Sequence, residues 1–68
     1  MLKEIMISAA KKHAEAEIEL HKANIEVYMR QVVGIGEHSD IIETIQKELD
    51  AMATASDRLE MLNKHFND

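Results

Sequence analysis

Val32-Val33-Gly34-Ile35-Gly36-Glu37-His38-Ser39-Asp40 contains both glycines of this 68-residue chain, which has no proline at all. Gly34 suits the left-handed position that closes a helix, where a Cβ would clash. Ser39 or Asp40 can cap a following helix, and Asp40 with Glu43 three residues on has the form of a capping box. The stretch therefore reads as a short helix–helix connection. It predicts helix 1 over residues 2–32, a loop over 33–39 and helix 2 over 40–66. Gly-x-Gly also occurs in phosphate-binding loops. Here no strand precedes it, no third Gly or Lys follows, and Glu37 and Asp40 would repel phosphate.

Upstream of the link, Ala, Glu, Lys, Leu, Ile and Met dominate, all residues at ease in a helix. At about 100° per residue, Glu4, Ser8, Lys11, Lys12, Glu15, Glu19, Lys22, Glu26 and Arg30 share one solvent-facing sector. A first apolar seam runs through Met6, Ala9, His13, Ala16, Leu20, Ala23 and Val27 to Arg30. Downstream, Ile42, Ile45, Leu49, Met52, Ser56, Leu59, Asn63 and Phe66 repeat in steps of three and four, as a heptad seam does. Folding back about Gly36 sets Val27 opposite Ile45, Ala23 opposite Leu49, Leu20 opposite Met52 and His13 opposite Leu59. The expected fold is all-α: a single domain over 1–68, built as an antiparallel two-helix hairpin.

A second apolar stripe remains on helix 1, about 120° around from the first. Its residues Ile7, Ala14, Ile18, His21, Ile25, Tyr28 and Val32, together with Ala10, have no partner in a hairpin built on the first seam. Burying a large side chain contributes about 1.5–3 kcal/mol, so a stripe of this length favours association. Those seven residues are the expected dimer interface, in a symmetric homo-oligomer that pairs two hairpins into a four-helix bundle.

Composition agrees with assembly. A chain this short has a marginal core unless a disulfide, a metal or oligomerisation supplements it. There is no Cys and no Trp, with one Phe, one Tyr and five Met, so disulfides are excluded and the core is aliphatic. The net charge of −5 arises entirely after residue 36. An acidic surface without a basic, aromatic-bearing stripe argues against nucleic-acid binding. The uncharged stretch Ile5–Ala10 is too short for a membrane span or a secretory signal, so the expectation is a soluble cytoplasmic protein.

The chemistry-bearing residues gather on helix 1. His13, Glu17 and His21 are spaced i, i+4, i+8 on one face, with Asn24 beyond them. Imidazole and carboxylate are ordinary ligands of zinc and similar ions, so the trio is a candidate metal site. The competing readings are a buried hydrogen-bond network, in which Asn24 fixes register, and a loosely packed edge where Glu17 reaches water. The network is preferred, because one chain offers few ligands and lacks the Glu-x-x-His of diiron bundles. Glu48, the one charge within the wider apolar arc of helix 2, falls near Asn24 in the folded-back register. His38 and His65 read as loop and helix-end residues.

The run Asn24–Met52, NIEVYMRQVVGIGEHSDIIETIQKELDAM, resembles small uncharacterised helical proteins of tailed phages infecting marine cyanobacteria. VGIGEHSDIIE (Val33–Glu43), EVY before it and LNKHF near the end carry the resemblance. It implies a phage or marine origin and host-cell cytoplasm, and it transfers no catalytic residue.

Three functions compete on these residues. The first is a self-associating structural or interaction module that can present its acidic second helix to a protein partner. The second is a metal-binding bundle through His13, Glu17 and His21. The third is an all-helical nucleotide pyrophosphohydrolase. Of that enzyme's two acidic pairs only one is matched, by Glu37-His38-Ser39-Asp40, and magnesium on a triphosphate needs more oxygen ligands than that. No nucleophile–base arrangement is present. The expectation is therefore a non-enzyme without cofactor.

Overall fold

The computed structural model describes residues 1–31 and 38–66, which form two α-helices, α1 (Leu2–Gln31) and α2 (His38–His65). Each helix has an acidic residue in its first turn (Glu4, Asp40) and basic residues in its last (Arg30; Lys64 and His65). That placement complements the helix dipole at all four ends. Helical hydrogen bonding continues one residue beyond each helix at its outer end: Ile5 N donates to the Met1 carbonyl at 3.1 Å and Phe66 N to the Leu62 carbonyl at 3.0 Å.

α2 starts at His38 rather than at residue 40. Ser39 and Asp40 therefore lie inside its first turn instead of capping it. Asp40 contributes there as an anion near the positive end of the dipole, and its carbonyl accepts a hydrogen bond from Thr44 Oγ1 at 2.9 Å. Val32, Gly34 and Gly36, and with them the expected left-handed helix end, lie outside the described residues.

α1 and α2 pack side by side and antiparallel. Asn24 contacts Glu48 in the register expected from folding about Gly36, and the contacts His21–Glu48 and Glu17–Arg58 fall symmetrically to either side of it. The core is thin. Ala14 and Ala55 are 2% and 1% exposed and Ile25 is 7% exposed; half-buried Ile7, Ile18 and Tyr28 from α1 and Ile41, Ile45, Met52, Leu59 and Leu62 from α2 extend it. The most buried position of each helix is thus an alanine, whose small side chain lets the helix surfaces approach closely.

The choice of seam corrects the sequence reading. Ile7, Ala14, Ile18, His21, Ile25 and Tyr28, expected at a dimer interface, instead face α2 within the hairpin. The first seam of α1 points outward, with Leu20 56% and Val27 52% exposed and Met6 exposed too. On α2 the packed arc is rotated likewise, leaving Ile42 and Leu49 outside. Two causes favour this choice. The packed stripe carries three of the four α1 isoleucines, and it turns His21 as well as Asn24 toward Glu48, which would otherwise be a charge facing an apolar seam.

The result is one layer rather than a globule, with extents of 54 × 15 × 11 Å and a radius of gyration of 15.7 Å. A compact domain of this length would have a radius of about 11 Å. The accessible surface is 5354 Å², whereas a compact folded chain of this mass would expose about 4,300 Å².

Candidate functional site

Two polar clusters and one apolar stripe are the features of α1 that can do something beyond folding. The first cluster lies within the packed face. His21 donates from Nδ1 to Glu48 Oε2, and Asn24 Nδ2 donates to Glu48 Oε1 at 3.0 Å. One carboxylate thus engages two residues of the other helix, one with each oxygen. His21 and Glu48 side chains are only 20% and 17% exposed, so this is a part-buried pair whose hydrogen bonds offset the cost of withdrawing it from water. The geometry fixes which ring nitrogen donates, because a carboxylate accepts.

The second cluster sits at the margin of the layer. Glu17 Oε1 lies 3.0 Å from His13 Nδ1, one helical turn earlier, and 3.5 Å from an Arg58 guanidinium nitrogen on α2. The oxygen itself is buried, yet neither neighbour approaches it with hydrogen-bond geometry. The contact is therefore ionic rather than directional. With His13 and Arg58 mostly exposed, such a pair contributes about 0–1 kcal/mol.

The trio read from the sequence is split between these clusters. His13 and Glu17 stay together as an i, i+4 pair, while His21 turns to Glu48 on the other helix. Glu17 has an arginine, not a second carboxylate, as its cross-helix neighbour. Among the described residues, no group of three or more His, Asp or Glu side chains is placed to hold a metal ion. Doubling the ligands across two copies of α1 would need His21 on the outward face, and it is on the inward one. Sequence reasoning missed Arg58. The available signal was its position one turn beyond Ala55, the residue level with Glu17 in the folded-back register.

The acidic half-motif begins at Glu37, outside the described residues, and Asp40 is exposed at the start of α2. Neither helix is long and apolar enough to cross a membrane.

The third feature is the outward stripe of α1. Met6, Ala9, His13, Ala16, Leu20, Ala23 and Val27 are all exposed and recur every three or four residues, so they form one band along the helix in which only His13 is polar. The band stands about 120° from the packed arc, an angle that α2 cannot cover. Compared with protein-family models, curated proteins and solved structures, the chain matches none of them.

Proposed function

We propose that this chain is a small structural or protein-interaction module that assembles with a second copy of itself, two hairpins forming a four-helix bundle. The observation that carries this reading is the outward stripe of α1. A largely apolar band over residues 6–27, interrupted only by His13, is rare on a monomer and marks an interaction surface. The amount of surface agrees: the excess over a compact chain is about 1,000 Å², close to the roughly 800 Å² that each partner contributes to an ordinary stable interface.

No catalytic role is assigned to the polar clusters. Both engage their members in pairing the helices, and neither surrounds a cleft with a nucleophile and a base. On the resemblance carried by Asn24–Met52, the setting of this module is the cytoplasm of a phage-infected cell. Sedimentation equilibrium at micromolar concentration tests the proposal. It requires a mass of twice the chain mass or more; a folded monomer of chain mass under these conditions removes it.

A further inference from the structure

The outward stripe also specifies how the second copy sits. Resting on the reading of the chain as a self-assembling module, we infer that the partner docks antiparallel along this stripe with Leu20 of each protomer opposite Ala9 of the other. The same register then seats Met6 against Ala23 and His13 against Ala16. Large side chains meet small ones at each of these levels, which is how two helix surfaces interlock without voids. A parallel pair would set Met6 on Met6 and Ala9 on Ala9, alternating crowded levels with gaps.

Charge selects this register among the antiparallel ones. Lys12 and Glu19 flank the stripe on one edge, both exposed. They are seven residues apart, about 10 Å along their own helix, too far to pair within it. In the proposed arrangement Lys12 of one protomer faces Glu19 of the other, and the two-fold axis makes that contact twice. Sliding one helix by a heptad in one direction opposes Glu19 to Glu19 and Glu17 to Glu17, and puts Arg30 against Met6. Sliding it the other way opposes Lys12 to Lys12 and leaves Val27 uncovered. Like charges in register disfavour both alternatives.

The experiment uses the absence of native cysteine, so that any disulfide reports an introduced pair. Ala9→Cys and Leu20→Cys chains are mixed under mild oxidation and covalent dimers are analysed. The mixed dimer should dominate. In this register the thiols of two Ala9→Cys chains, or of two Leu20→Cys chains, are about 16 Å apart along the axis, beyond disulfide reach. Charge reversal gives a readout independent of Leu20. Lys12→Glu should weaken the dimer about tenfold, and Lys12→Glu/Glu19→Lys should return it to within about threefold of wild type. Ile42→Gln on α2 should leave the dissociation constant unchanged. Like-with-like cross-links, failure of the double swap to restore affinity, or loss of the dimer in Ile42→Gln would each overturn this docking while leaving self-assembly intact. A wild-type monomer by sedimentation would remove both.

Discussion

The two apolar stripes of α1 are similar in length and periodicity, yet the hairpin buries one and leaves the other in water. The buried stripe contains His21 and is bordered by Asn24; both need acceptors, and Glu48 on α2 supplies one to each. The outward stripe from Met6 to Val27 alternates alanine with larger side chains, and within it only His13 is polar. Leaving that stripe exposed strands no buried polar group, so another molecule can cover it at a later step. Polar residues thus identify the face committed within the chain, and the mostly apolar face is the one left for a partner.

This contrast is broken most severely by Ile25→Lys, which puts a charge into the 7%-exposed core position. Such a change costs more than about 4 kcal/mol, enough to unfold a two-helix chain, and helix content by circular dichroism should collapse along with assembly. Leu20→Lys with Val27→Lys tests the other stripe. Helix content at high concentration should partly survive, but the sedimenting mass should fall to one chain. If the pair instead unfolds as completely as Ile25→Lys, the two stripes do not have separate roles.

Smaller effects separate the two polar clusters. Glu48→Ala leaves His21 and Asn24 without their acceptor, and the stability from urea denaturation should drop by about 2 kcal/mol. Glu17→Leu removes an ionic contact at the margin and extends apolar surface. Its change should stay within about 1 kcal/mol and can be stabilising. Equal losses at Glu48 and Glu17 would make the distinction between cluster and margin untenable.

Much of the architecture is legible in the residues themselves. Glycine at 34 and 36 alone, with unbroken helix formers on either side, gives two helices and their order. The register follows from the position of that link, and Asn24 beside Glu48 follows from the register. Which stripe of α1 packs is not legible from periodicity, because both repeat at the same spacing. The decision lies in matching two polar interruptions across the helices: His21 with Asn24 on one, Glu48 on the other. The His13–Glu17 pair is local and could be read directly. The partner of His21 lies 27 residues away and emerges only once the correct faces are opposed.

The single-layer build of the hairpin sets how it comes apart. In a globule each core residue is held by elements from several directions, so opening one end strains the whole. Here every level of the seam leans only on the levels just above and below it, as in linear repeat arrays. Unfolding can therefore travel like a zipper, starting at the level of Ile7 and Phe66 near the chain ends and running toward Tyr28 and Ile41. Backbone amides should exchange with solvent in that spatial order, fastest near the two ends of the chain and slowest toward Tyr28 and Ile41. Tyr28, the single tyrosine of a chain without tryptophan, lies at the late end of that path. Its emission should change only after far-ultraviolet ellipticity has begun to fall. A partner seated on Met6 and Ala9 would clamp the open end and bring the two signals into coincidence.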